Sequence, residues 1–348
     1  MTSKAVCRQL CALGLMGATL WAGCAKSSDS KAPKVAFLLS TLQEERYQKD
    51  KNYFESAARK LGLAPFTLAA DNDNARQLSE VEDALARGAR VLVIQPTDSA
   101  AAGAYVSKAH ERGATVVAYD RDIKNGAVDY YVAHDSFKVG VLQAEAAVEA
   151  TGGKGNFVIL DGQSGHSVAT EIARGYYSVL QPYLDSGAIK VVVEKSHDAW
   201  SPDQALKTVE DAIAKTRGEI AAILANNSGM ARGAVQAVQA ARLGHVFIAG
   251  ADADAANVEY VCQGKQSIEV LKEIRPLAEK AAEVAASLAK NGKTPESHAA
   301  TANAAAGNGV AGKTPVAAVA VELITADNAK RLVVDSGFQP AAALPDCK

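Results

Sequence analysis

Ala114-Thr-Val-Val-Ala118 is followed directly by Tyr119-Asp120-Arg121. The apolar run is short, rich in β-branched residues and flanked on both sides by helix-period patterns. It reads as a parallel strand buried on both faces. In open α/β sheets ligands collect in the crevice beyond the carboxyl ends of the strands, which is where the polar triplet stands. Asp120 and Arg121 there make an acceptor and donor pair suited to a ligand rich in hydroxyl groups. A surface salt bridge or the start of a helix is the plainer alternative for the triplet taken alone.

Outward from this strand the same alternation repeats. Strand candidates fall at 34–40, 64–69, 91–95, 114–119, 129–133, 156–160, 189–194, 221–225, 246–250 and 267–271. Amphipathic helical patterns lie between them at 44–61, 75–87, 101–112, 137–150, 167–183, 203–215, 229–241 and 276–291. This β-α-β rhythm implies parallel sheets with right-handed crossovers. Ten parallel strands in one sheet are too many, so the expected class is α/β with two doubly wound lobes. Residues 292–316 are rich in Ala, Gly, Asn and Thr and read as an extended connection; Val316 to Ile324 could add one more strand.

The 348 residues suffice for two domains, and a formal net charge of −2 with 22% charged residues gives no basic surface for nucleic acid. Residues 1–24 read as a signal peptide, with Lys4 and Arg8 ahead of an apolar stretch from Leu10 to Ala22 too short to span a bilayer. The segment ends in Leu20-Trp-Ala-Gly-Cys24, which resembles a bacterial lipobox with Cys24 as the lipidated residue, although Trp21 is larger than usual there. Residues 25–33 read as a flexible tether. Cleavage would remove Cys7 and Cys11 and lipidation would use Cys24, leaving Cys262 and Cys347 as the pair to cross-link in an oxidising compartment.

Enzyme signatures are scarce. Thr151-Gly-Gly-Lys-Gly-Asn156 precedes a strand instead of following one and lacks P-loop spacing, and Gly162-Gln-Ser-Gly-His166 is one residue short of a nucleophile elbow. The six histidines have no metal-ligand spacing, and His110 lies on a solvated helix face. No catalytic residue, metal or cofactor is expected. Polar groups recur instead at strand ends: Glu44 to Asp50, Tyr119 to Arg121, Asp198-Ala-Trp200, Asn226-Asn227, Asp252 and Lys272. Planar donors and acceptors together with aromatic faces are what a sugar site requires.

The order of these residues resembles the bacterial periplasmic pentose-binding proteins of ABC importers, the xylose-binding group most closely, over residues 34–345. The resemblance is carried by Glu45-Arg-Tyr-Gln-Lys-Asp50, Arg90-Val-Leu-Val-Ile94, Val117-Ala-Tyr-Asp-Arg121, Tyr183-Leu-Asp-Ser-Gly187, Asp198-Ala-Trp200 and Gly250-Ala-Asp-Ala-Asp254. It implies two lobes of the periplasmic binding protein-like I type, joined by three crossovers with the ligand at the hinge. The first lobe would take 34–132 plus 269–317, and the second 136–267 plus 320–348. It further implies that Arg46, Asp120, Arg121, Asn227, Asp252 and Lys272 bond sugar hydroxyls, while Tyr47 and Trp200 sandwich the ring. Tyr47 stands where xylose binders carry Trp. The chain departs elsewhere as well: Val168 aligns with a binding Asn, beside His166 and Ser167; Ser228 stands in place of Asp; His134 replaces an aromatic. His134, His166 and Ser228 are therefore further ligand-binding candidates.

The implied function is a monomeric, lipid-anchored receptor in the periplasm or at the cell surface that closes on a monosaccharide and passes it to an ABC permease. A hexose, an inositol or another polyol could replace the pentose, and a membrane signalling protein could replace the permease. A repressor of the related type would need a helix-turn-helix ahead of the first lobe, where the signal segment lies.

Overall fold

The computed structural model describes residues 32–292 and 314–347. The signal segment 1–24, Cys24, the tether as far as residue 31 and residues 293–313 of the connection lie outside the described residues.

The first half runs β1 (Lys34–Leu39), α1 (Glu45–Lys60), β2 (Ala64–Ala69), α2 (Asn74–Ala86), β3 (Val91–Ile94), α3 (Gly103–Glu111), β4 (Thr115–Tyr119) and β5 (Tyr130–His134). The second runs α4 (Ser136–Thr151), β6 (Gly155–Asp161), α5 (Ser167–Asp185), β7 (Ile189–Ser196), α6 (Pro202–Thr216), β8 (Ala222–Ala225), α7 (Ser228–Ala240), β9 (Phe247–Ala251), α8 (Ala255–Cys262) and β10 (Ile268–Lys272). Helix α9 (Ile274–Asn291) then returns to the first half, where β11 (Val316–Val319) joins the first sheet, and β12 (Val321–Ile324) joins the second. The sheet orders are β2-β1-β3-β4-β5-β11 and β7-β6-β8-β9-β10-β12. Ignoring the last strand of each, one winding is used twice, with its switch point between β1 and β3 and between β6 and β8. All pairings are parallel except that of β12 with β10.

The period of two along β1 builds two separate cores. Val35, Phe37 and Leu39 face α1 and α9, while Ala36 and Leu38 face the opposite layer of α2 and α3. Each large side chain fully buried this way contributes about 1.5–3 kcal/mol. Helix starts are set by local chemistry: Asp73, Asp135, Ser201 and Asn227 each accept a backbone N–H from the first turn of α2, α4, α6 and α7, and Pro202 opens α6. Helices α4 and α5 touch backbone to backbone, since a Cβ on Gly140 would sit 2.0 Å from the Ile172 carbonyl oxygen.

Three points differ from expectation. The run Val316–Ile324 is not one strand but two, broken at Ala320 so that each piece serves a different sheet. Strand 268–272 pairs with β9, so it belongs to the second sheet, and the crossing back to the first half falls after Lys272, not before residue 269. Helix α8 was not expected. Cys262 at its end is bonded to Cys347 in the C-terminal tail, with their Cα atoms 5.1 Å apart. That tail packs Leu332, Val333 and Leu344 on Val258 and Leu271.

A candidate ligand site between the two sheets

The carboxyl ends of both sheets face one cleft. Arg46 and Tyr47 follow β1, Asp120 and Arg121 follow β4, Trp200 follows β7, Asp252 follows β9, and Lys272 is the last residue of β10. These seven, with Glu44 and Val168, line one cavity. Asn227, at the start of α7, lines the adjoining outer chamber together with Trp200 and Asp252. The turns that present these groups are conformationally costly. Asp120, Ala199, Trp200, Asp252 and Ala253 all have positive φ, five of the ten such non-glycine residues among the described residues. Gly162 makes room for the Trp200 ring: a Cβ there would lie 2.4 Å from it.

Arg46 is the centre of the charge arrangement. Only 4% exposed, it stands 3.3 Å from Asp50, 3.3 Å from Asp120 and 3.4 Å from Asp252, the last reached across the cleft. Lys272 comes from the opposite side, 3.1 Å from Asp252 and 3.9 Å from Asp120. Gln95, directly after β3, donates to the other Asp120 oxygen at 3.3 Å. Burial alone would raise the Asp120 carboxyl, but Arg46 and Lys272 outweigh it and hold the group well below the usual carboxylate range. Asp50 is buried more deeply and is pushed up to about 6 in spite of Arg46 and a hydrogen bond from Tyr119. Burial likewise pushes Glu44 up to about 7, against Arg121 and with Asp252. Two hydrogen-bonding atoms are left over where the halves meet: Arg46 Nη2 and Asp120 Oδ1 are buried, and their ion contact is not a hydrogen bond.

Arg121 is fixed by donating to the Pro96 carbonyl at 3.0 Å and to the Tyr47 hydroxyl at 3.1 Å. The three further candidates are brought close but line neither the cavity nor the outer chamber. His134 spans the first two crossings, with Nε2 3.0 Å from the Glu273 carbonyl and Nδ1 3.7 Å from Asp120. Ser228 donates to Glu269 at 2.9 Å. His166 lies buried against Trp200, Thr97 and Arg121. Gln95 was missed in the sequence, although it occupies the same strand-end position that singled out Asp120. Asp50 was passed over as one residue in a charged helix start, although it lies one helical turn from Arg46.

Glu269 is the buried support under the second-half turn. Its carboxyl accepts from Ser228, from the Ala253 N–H at 3.1 Å and from Gln266 at 2.7 Å, bracing the loop that carries Asp252. Burial pushes it up to about 8, an effect those donors moderate. The folded chain therefore binds a proton that the unfolded chain has released, and stability from this group is present below pH 4.5 and lost as pH rises to about 8. Urea denaturation of wild type should show this fall between pH 5.5 and 8.5. E269Q should show a shallower one, and equal slopes would contradict the assignment.

Residues 35–294 match the family described as periplasmic binding protein domain, and the chain belongs to that family. It is similar to the D-xylose-binding periplasmic protein of Escherichia coli K12, 38% identical over 78% of this chain and 82% of that one. The D-xylose-binding periplasmic protein of Haemophilus influenzae is 36% identical over 90% of this chain and 92% of its own length. Among solved structures, an ABC transporter solute binding protein from Clostridium phytofermentans with bound β-D-glucose superimposes with a TM-score of 0.82 at 26% identity. That match covers 89% of this chain and 99% of the other.

Proposed function

We propose that this protein captures a neutral monosaccharide, a pentose of the xylose type, in the cleft between its halves and delivers it to an ABC permease. The observation that carries the reading is the meeting of Arg46 and Asp120 from one half with Asp252 and Lys272 from the other, in a cavity walled by Tyr47 and Trp200. The cavity is lined by three cations, Arg46, Arg121 and Lys272, and three carboxyl groups, Glu44, Asp120 and Asp252, with no strong excess of either sign, which suits hydroxyls that donate and accept. Val168 is the one aliphatic side chain in the lining and would suit a part of the ligand without a hydroxyl. The D-xylose-binding relatives support a pentose, and the glucose-bound neighbour supports a pyranose ring in this cleft.

Because the ligand's contacts come from both halves, binding favours the closed arrangement over an open one, and a permease would read the surfaces so aligned. The leader and Cys24 would tether a monomeric receptor on the outer side of a bacterial membrane, with Arg46, Tyr47, Asp120, Arg121, Trp200, Asn227, Asp252 and Lys272 as its ligand residues. Binding and closure, without catalysis, are the whole of this role.

A thermal-shift screen against pentoses, hexoses and inositols tests the reading. A ligand at a hundred times its dissociation constant adds about 2.7 kcal/mol to stability. D-Xylose should raise the melting temperature of wild type and leave that of D252A unchanged. A panel in which no sugar or polyol moves the wild-type midpoint sinks the proposal.

A further inference from the structure

His166 uses both ring nitrogens, and the partners fix where its proton sits. The Trp200 indole N–H, which can only donate, points at Nδ1 at 2.8 Å, so Nδ1 is the acceptor. The proton is then on Nε2, which faces the Thr97 carbonyl oxygen at 2.7 Å. Trp200 and His166 belong to the second half and Thr97 to the first, in the loop after β3. The second bond therefore crosses the cleft, and the first does not. Neighbouring bonds cross at the same edge: Ser99 N–H donates to the Gly165 carbonyl at 3.1 Å, and Asp122 N–H to the Ser167 hydroxyl at 2.8 Å.

We propose that His166 is a proton-sensitive latch of the cleft, a positioning residue whose Nε2–H ties the two halves together while its Nδ1 holds Trp200 only as long as the ring is neutral. A second proton would go to Nδ1, against the Trp200 N–H, and would bring a positive ring against Arg121, whose Nη1 is 3.3 Å from Nε2. The charged groups around the ring are Arg121 and Asp120 from the turn after β4, Asp98 beside Gly165 and Glu171 one turn along α5. Asp122 bonds the adjacent Ser167. Among the groups acting on the ring, burial and Arg121 outweigh Asp120 and push it down to about 2 in the closed form. With the halves apart that burial is relieved. A ring near its ordinary value of about 6.5 is then protonated roughly tenfold over neutral at pH 5.5. Closure must expel that proton, so acid pH opposes closure.

The inference rests on the cleft reading above, and its test separates the two. D-Xylose affinity is measured by calorimetry at pH 7.5 and 5.5 for wild type, H166Q and H166F. Glutamine can accept from Trp200 and donate to Thr97 but takes no proton; phenylalanine can do neither. From pH 7.5 to 5.5 wild type should lose up to about tenfold more affinity than H166Q. H166F should bind at least tenfold more weakly than H166Q at both values. Other acids in the cleft, Asp50, Glu44 and Asp254, titrate equally in all three chains and cancel in the comparison. Identical pH profiles for wild type and H166Q, or full affinity in H166F, overturn the latch. If wild type does not bind D-xylose, the cleft reading fails while the latch is still read in the free protein. In a W21F background, Trp200 fluorescence should titrate at acid pH in the His166 chain and not in H166Q, and no difference between them rejects the latch.

Discussion

Arg46→Ala is expected to destabilise the protein by about 3–5 kcal/mol and to remove ligand binding altogether, because truncating one partner of a buried ion cluster strands the others. Three carboxyl groups contact this guanidinium, and Asp50 and Asp120 are almost wholly buried. Without it Asp120 retains the longer contact with Lys272, the neutral Gln95 amide and the nearby His134 ring, and Asp50 retains the Tyr119 hydroxyl. Both would then take up protons at neutral pH, so the deficit against wild type should shrink as the pH is lowered toward 5. Urea denaturation at pH 5 and 8 measures both effects. Arg46→Lys should recover only part of the loss, since a single ammonium cannot serve three carboxyl groups in three directions. A stable R46A that still binds sugar would mean that the cluster is not organised around this residue.

Breaking the Cys262–Cys347 bond is the second large effect. The bond closes a loop with a sequence separation of 85, for which chain entropy gives about 4.6 kcal/mol. The tail it pins bears on the site as well as on the core. Gln339 donates to the Ala253 carbonyl at 3.0 Å, next to Asp252, and accepts from Lys49 on α1 at 2.9 Å. Reduction, or C347S, should therefore lower the melting temperature by several degrees, and bound ligand should recover part of the difference by holding Ala253 in place. Equal melting curves with and without reductant would show that the tail is held by its apolar contacts alone.

The two doubly wound sheets were legible because their strands are continuous apolar runs. Val91–Ile94 and Ala222–Ala225 are buried along their whole length and have no polar residue to obscure the period. What could not be read was which sheet a strand joins. Ile268–Lys272 has the composition of a buried parallel strand, yet its pairing with β9 is a contact between distant segments that no local pattern encodes. The break at Ala320 is hidden for the same reason, since one apolar run feeds two sheets. At the site, the strand-end rule found residues whose side chains point into the crevice, among them Asp120, Asp252 and Lys272. It could not tell which polar groups are spent on protein partners: Ser228 is taken by Glu269, His134 by the crossing at Glu273 and His166 by Trp200 and Thr97. The assignments of His134 and of His166 to Thr97 depend on how the halves meet, and that of Ser228 on how α7 packs beside β10.

In the proposed function one neutral sugar is held by charged groups from both halves of the chain. Calorimetric titration of wild type, D120A and D252A with D-xylose tests it most directly, because the two variants remove one carboxyl from each side of the cleft. Wild type should show saturable binding with one site per chain, and neither variant should bind. Binding that survives in D120A or in D252A, or a wild type that gives no heat with D-xylose or any other monosaccharide, would contradict it.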